Sequence, residues 1–297
     1  MRTPIYVSSS ALGHLSYGAL CDYCISSRIS GVELSSSCSI PPQDLFRDGK
    51  SDSPPLKLLI HNYFPKPDRP FILNLAADSS IINNLSRSHC VNAIDLCHKL
   101  NVPFYSFHAG FAFNATPRQL GGSLLSAPRF PRENAYRNFV ESLKFLCEYA
   151  QKRSIQLAVE NNVVTSENLV DGNNALLLGA TSEELLHILD DVSSPQLGIL
   201  VDVGHLKVTA KTLGFDRKRF LDSLVPKIKA FHLSDNDGVT DTHSEFGEES
   251  WFLPCLSGFS GTKMVIETQQ TTVEAIQRMM QVVGDSIEAK KNDDIAN

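Results

Sequence analysis

Seven short apolar runs in this chain each close on an acidic residue or a histidine. They are Gly31-Val-Glu33, Leu58-Leu-Ile-His61, Tyr105-Ser-Phe-His108, Leu157-Ala-Val-Glu160, Ile199-Leu-Val-Asp202, Ala230-Phe-His232 and Met264-Val-Ile-Glu267. Continuous apolar runs of this length, without strict alternation, are the pattern of strands buried on both faces. Strand-like and helix-like stretches alternate along the chain, which predicts parallel βα units. Of the parallel architectures, the (β/α)8 barrel gathers the carboxyl ends of all its strands at one mouth. A polar residue at nearly every strand end therefore predicts a single-domain α/β chain, a (β/α)8 TIM barrel, with its chemistry at that mouth.

Strands are expected at residues 5–8, 31–34, 58–61, 104–108, 155–160, 197–202, 228–232 and 263–267. Helices are expected around residues 17–27, 81–100, 132–152, 181–191, 216–224 and 271–283. Residues 71–76 read as a short extended excursion rather than a barrel strand. The barrel is assigned to residues 1–285, and 286–297 read as a flexible tail. Two long connections are expected: 110–131, rich in Gly, Ser and Pro, reads as a lid or binding loop, and 161–180 is a second long loop. A third, 234–256, is polar and carries the one tryptophan, Trp251.

The chain has 297 residues, 42% of them hydrophobic, enough for one such barrel. Its formal net charge is -6 and the nearest thing to a basic run, 128–137, is sparse, which speaks against gripping a nucleic-acid backbone. Seven irregularly spaced cysteines read as free thiols in a reducing cytoplasm. The lone Cys21-Asp-Tyr-Cys24 falls on a helix and reads as structural thiols, not a redox pair or half a zinc site. No window reaches about 18 uninterrupted apolar residues, so no transmembrane helix is expected, and the N-terminal residues lack a signal pattern. The expected partner is a small molecule. The oligomeric state, homo-oligomer included, stays open.

Glu160, Asp202, His232 and Glu267 close four successive strands. Three carboxylates and an imidazole suit Mn²⁺, Zn²⁺, Co²⁺ or Fe²⁺. Without a cation the carboxylates would repel and at least one would hold a proton. His205 follows in Val201-Asp-Val-Gly-His205, where Gly204 is expected to let the chain turn sharply. It is a candidate for substrate or for a second metal. His61 and His108 are candidates for the same two roles beside Glu160. Asp241 and His243, two apart in an extended segment, can present both side chains to one ion. Asn162, Trp251 and Phe113 are expected to line the pocket wall. Glu33 matches no ligand role and is read as lining the mouth.

The motifs Leu59-Ile-His61, Phe107-His-Ala-Gly110, Val159-Glu-Asn-Asn162, Val201-Asp-Val-Gly-His205, Phe231-His-Leu-Ser-Asp235 and Val265-Ile-Glu267 together resemble the xylose-isomerase-like barrel superfamily. That superfamily contains sugar and sugar-phosphate isomerases and epimerases, and also endonuclease IV. The similarity covers most of the chain. For the epimerase branch it implies one Mn²⁺-like ion on Glu160, Asp202, His232 and Glu267. The two glutamates would exchange a substrate proton through a metal-stabilised enediolate, with His205 on a substrate hydroxyl or carbonyl. That branch often carries an arginine shortly after the histidine of the seventh strand; here the stretch is Leu233-Ser-Asp-Asn-Asp-Gly238. The endonuclease IV branch implies three zinc ions on His61, His108, Glu160, Asp202, His205, His232, Asp241, His243 and Glu267, and every one of those positions has the right residue type. The favoured expectation is a divalent-metal-dependent isomerase or epimerase of a sugar-like keto substrate. The alternatives are an endonuclease IV-like zinc phosphodiesterase acting on abasic DNA, a metal-dependent keto-sugar dehydratase or lyase, and a barrel that binds without turnover. Acidity and the lack of basic, apolar-tipped loops weigh against the nuclease.

Overall fold

The computed structural model describes residues 3–13, 15–46, 56–114, 124–259 and 261–293. Eight parallel strands close in sequence order into a barrel. They are β1 (Ile5–Ser8), β2 (Gly31–Leu34), β3 (Lys57–His61), β4 (Phe104–His108), β5 (Gln156–Glu160), β6 (Leu197–Asp202), β7 (Ile228–Leu233) and β8 (Lys263–Ile266). Glu267 is the first residue past β8, held in line by its N–H donating to the Leu233 carbonyl at 3.0 Å. No strand forms at 71–76.

Alternation along the strands sets the height of the site. Tyr6, Leu59, Phe104, Ala158, Leu200, Ala230 and Val265 form one buried cluster, contributed by seven different strands. This is the packed floor of the lumen. Two residues further along each strand, facing the same way, come Ser8, His61, Ser106, Glu160, Asp202, His232 and Glu267. On β2 the floor position is Gly31, where a Cβ would lie 2.5 Å from the Tyr6 ring. Two residues above it is Glu33. His108 sits one layer higher, beside Glu160 in register.

A much larger apolar cluster fills the space between barrel and helices. The helices are α1 (Ser9–Leu12), α2 (Tyr17–Ser26), α3 (Ser80–Lys99), α4 (Arg132–Gln151), α5 (Ser182–Val192), α6 (Val203–Leu213), α7 (Arg217–Leu224), α8 (Leu253–Leu256) and α9 (Val273–Asp293). On α4 the stripe Ala135, Phe139, Leu143, Leu146 and Ala150 is wholly buried, as a 3.6-residue period requires. Thr181 caps α5 by accepting from the Glu184 N–H at 3.3 Å, while Glu184 reaches back to the Gly179 N–H at 2.8 Å.

Besides the short α1 and α8, which fall where no helix is expected, two longer helices depart from the sequence-based expectation. The first, α6, starts directly after β6 with Asp202 as its cap; the glycine and β-branched residues that open it lower its intrinsic propensity, and burial overrides that. The second, α9, runs to Asp293, with Ile287 buried in the core. The chain past 285 is thus helical rather than a tail from its first residue; residues 294–297 lie outside the described residues. No described helix is long and apolar enough to cross a membrane.

The long connections after β4 and β5 pack on each other. Phe113, Leu124, Ala127, Val164, Leu176, Leu177 and Ala180 form their own buried cluster, and bridges join Phe111 to Leu177 and Phe113 to Arg129. The described parts of 110–131 are therefore a packed rim. The central part, 115–123, on which the lid expectation also falls, lies outside the described residues.

Candidate metal centre

Glu160 is the hub of the mouth. It is wholly buried. Its Oε2 lies 3.4 Å from His61 Nε2 and 3.2 Å from His108 Nδ1. Its Oε1 lies 3.5 Å from both His205 Nδ1 and His232 Nδ1. His232 Nδ1 also faces Glu267 Oε2 at 2.6 Å and Asp202 Oδ2 at 4.0 Å. On the far side of the mouth, Asp241 Oδ2 is shared by His205 Nε2 at 3.1 Å and His243 Nε2 at 3.0 Å.

Three groups of donor atoms result, each within 4.8 Å: Glu160, Asp202, His232 and Glu267; His61, His108 and Glu160; His205, Asp241 and His243. A fourth grouping, Glu33, His61 and His232, shares His232 with the first. The donors fit a divalent cation. Both Glu160 oxygens, Asp202 Oδ2 and His232 Nδ1 are buried and lack any aligned hydrogen-bond partner. Buried polar atoms are ordinarily satisfied, and here they converge on one point.

Most of the clustered imidazoles have one nitrogen turned to a supporting group and the other to the cluster. His61 Nδ1 meets Ser106 Oγ at 3.0 Å. His205 Nδ1 meets the Asn161 carbonyl at 2.8 Å. His243 Nδ1 meets the Glu267 carbonyl at 3.2 Å. His232 Nε2 lies 3.0 Å from Glu33 Oε1. Such outer contacts fix which nitrogen is left to act as a ligand.

Electrostatics divide the ring of groups. Burial alone would push the Glu160 carboxyl up, but the His108, His232 and His61 imidazoles hold it well below the usual carboxylate range. Burial likewise opposes ionisation of Glu267, and His232 brings it down to about 2. Burial raises Asp202 to about 6, against the pull of His205, and raises Glu33. Burial lowers His61 to about 3 and lowers His108. His205 and His232 go the other way: burial opposes their charge, but Asp202 and Asp241 beside one, and Glu267, Glu33 and Glu160 beside the other, lift them well above the ordinary range. His243 is lifted to about 9 by Asp241 and Glu267 against burial.

Several expected roles change. Gly204 does not make a turn that folds His205 back. It lies in the first turn of α6, and Asp202 Oδ1 caps that helix by accepting from the His205 N–H at 2.8 Å. Glycine is needed there for close approach: a Cβ would sit 2.8 Å from Ser234 Oγ and 3.2 Å from Asp202 Oδ1. The Asn162 side chain is committed to the rim. Its amide donates to the carbonyls of Ala109, Gly110 and Leu178, stapling the two rim loops. Phe113 is buried in the rim cluster. The Trp251 indole lies under Arg217, 4.4 Å from its guanidinium carbon, and edge-on to Phe252, with no described contact to the clustered residues. Where the resemblance led one to look for an arginine, Asp235 pairs with Lys207 Nζ of α6 at 2.6 Å.

Asn161, Ser106 and Glu33 were not picked out from sequence as supports. Asn161 clamps β5 to β6, its Oδ1 accepting from the Asp202 N–H at 2.8 Å and its amide donating to the Asp202 carbonyl. Inward alternation is the signal that could have found Ser106 and Glu33; for Asn161 there is none, since its neighbour has the same side chain.

The family profile described as xylose isomerase-like TIM barrel matches residues 49–283. Among curated proteins, the fructoselysine 3-epimerase of Shigella flexneri is 28% identical over 156 residues, 52% of this chain and 47% of that protein. The chain thus aligns with about half the length of that relative. A probable endonuclease 4 of Mesomycoplasma hyopneumoniae is 24% identical over 207 residues, 66% of this chain and 61% of that protein. Among solved structures, a D-tagatose 3-epimerase-like protein superposes with a TM-score of 0.69 at 19% identity, covering 97% of this chain and all of that one, a likeness of fold. With the closed eight-stranded barrel and a profile match over most of its length, the chain belongs to the xylose isomerase-like TIM barrel family.

Proposed function

We propose that this protein is a divalent-metal-dependent isomerase or epimerase of a sugar-like keto substrate. One observation carries the reading. Glu160 and Glu267, from β5 and from the end of β8, both reach His232 Nδ1, at 3.5 and 2.6 Å. A carbon beside a carbonyl has two faces. A carboxylate at each can remove a proton from one face and return one to the other.

Glu160, Asp202, His232 and Glu267 would hold the ion, with Mn²⁺, Zn²⁺, Co²⁺ or Fe²⁺ suited to the donor set. When bound, it supplies a Lewis acid that polarises a substrate carbonyl. The protein's own residues do the rest. Both glutamates are kept ionised by neighbouring imidazoles, so either can accept a proton. Removal by one leaves an enediolate; delivery by the other inverts the carbon. One proton is taken and one given, with no change of oxidation state. Return to the neighbouring carbon would give an isomer, and loss of a hydroxyl from the same enediolate would give a dehydratase or lyase. The seven cysteines are all unpaired and five are buried, which supports a reducing, cytoplasmic setting.

A second reading is favoured by a separate observation. The groups His61, His108 and Glu160, and His205, Asp241 and His243, are each assembled within 4.8 Å. Three ions so held would suit metal-assisted phosphodiester hydrolysis. Against it, the arginines of the 128–137 stretch are engaged within the protein: Arg129 with the Leu125 carbonyl, Arg132 with Glu184 and Arg137 with Asn134.

The test is incubation of metal-loaded protein with candidate ketoses in D₂O. Deuterium at the carbon beside the carbonyl, lost in Glu160→Gln or Glu267→Gln, is the expected result. Cleavage of abasic-site DNA without any such exchange would move the assignment to the phosphodiesterase.

A further inference from the structure

We infer that Glu33 is the positioning residue that orients the His232 imidazole, committing its Nε2 to the barrel interior and leaving Nδ1 as the metal-facing nitrogen. The inference rests on the metal-centre reading above and goes beyond it, because Glu33 is outside the donor set.

Glu33 lies wholly buried on β2, two residues above the floor position Gly31. Its Oε1 is 3.0 Å from His232 Nε2. The contact is off-axis for a hydrogen bond, and neither Glu33 oxygen has another hydrogen-bond partner. A carboxylate in an apolar barrel interior is costly unless it answers a charge or an N–H. Among the described residues, His232 is the group that reaches it, at 3.0 Å.

The other imidazoles make the role legible. His61 is oriented by the Ser106 hydroxyl, and His205 and His243 by backbone carbonyls. Each of those supports leaves Nε2 for the cluster. His232 is reversed: Nδ1 faces Glu160, Asp202 and Glu267, and its support is a full carboxylate. A negative acceptor at Nε2–H both fixes the tautomer and makes the opposite nitrogen a stronger donor. Glu33 does not read as a ligand in its own right. His61, the third member of its grouping, already has Nδ1 on Ser106 and Nε2 towards Glu160.

The experiment compares wild type with Glu33→Gln, Glu33→Leu and Glu267→Gln. Zn²⁺ affinity is read by competition with a chromophoric chelator, and ligand field by the visible spectrum of the Co²⁺-loaded protein. Glu33→Gln and Glu33→Leu are expected to weaken Zn²⁺ by about 10- to 100-fold and to shift the Co²⁺ bands, while keeping the wild-type ion count. The metal-free Glu33→Leu protein is expected to melt cooperatively, which shows that it folds. Should Glu33→Leu not fold, the isosteric Glu33→Gln decides alone. Affinity within about threefold of wild type, with an unchanged Co²⁺ spectrum, overturns the inference and leaves the metal-centre reading standing. Loss of a whole ion equivalent, as expected for Glu267→Gln, makes Glu33 a ligand and overturns it too. A wild-type protein that binds no divalent ion sinks both.

Discussion

Loading the protein with Zn²⁺ at pH 7 should release protons, and their number should report whether the position of His205, Asp241 and His243 fills as well as that of His232. In the metal-free site His205 and His232 are held protonated by the carboxylates around them, and His243 is lifted to about 9. At pH 7 a group at about 9 is roughly 99% protonated. His61, at about 3, and His108, also lowered, bring none. Asp202, at about 6, adds roughly a tenth of a proton. A metal ligand must give up its proton. Filling only the position of Glu160, Asp202, His232 and Glu267 should therefore release about one proton. Filling the position of His205, Asp241 and His243 as well should bring the total to about three. The sign follows: because protons leave on binding, apparent affinity rises with pH, about tenfold per pH unit for each proton released, until the imidazole titrates by itself. Isothermal titration calorimetry in buffers of different ionisation enthalpy reads the number directly. Stoichiometric binding with no proton release would refute the reasoning, because the imidazoles would then be neutral already or would not be ligands.

Other outcomes follow from single contacts. Gly204→Ala should cost about 1–3 kcal/mol of stability by overpacking, read by urea denaturation, and Ser234→Ala in the same chain should recover much of it, since the atom a Cβ would meet at 2.8 Å is Ser234 Oγ; no recovery would mean the helix start itself is strained. Asn162→Ala takes the amide from three carbonyls, of which Gly110 keeps the Leu178 N–H, and should cost about 2–4 kcal/mol while leaving Zn²⁺ affinity unchanged, because the amide bonds only to rim backbone. Free Zn²⁺ at a hundredfold excess over its Kd should stabilise the fold by about 2.7 kcal/mol, seen as a rise in Tm that a chelator reverses. The metal-free protein should lose stability as pH rises from about 6.5 through 9, because His243 and its neighbours are more basic folded than unfolded; the Zn²⁺-loaded protein should not, and parallel thermal melts at pH 7 and 9.5 make the comparison.

Much of the barrel was legible in the sequence for a physical reason. Parallel strands buried on both faces must be continuous apolar runs, and β4 and β6 fall at the residues those runs predict. The polar residue that ends each run is a strand-end residue whatever the register, so the chemistry of the mouth could be read before the barrel was closed. Helix α6 was not legible, because its opening residues are poor helix formers and only burial and the Asp202 cap make it helical.

The sequence by itself placed Glu160, Asp202, His232 and Glu267 at the mouth, since period-2 alternation two residues above an apolar floor decides which side chains face in. Tertiary structure alone decided what each donor does. Asn161 clamps Asp202 while Asn162, with the same side chain, staples the rim, because adjacent residues leave a strand end in opposite directions. Glu33 is a strand-end carboxylate like Glu160 or Glu267, yet it meets His232 at Nε2 while those two meet it at Nδ1. Rank among like residues depends on barrel stagger, which shifts each strand end relative to its neighbours by amounts that no local pattern encodes.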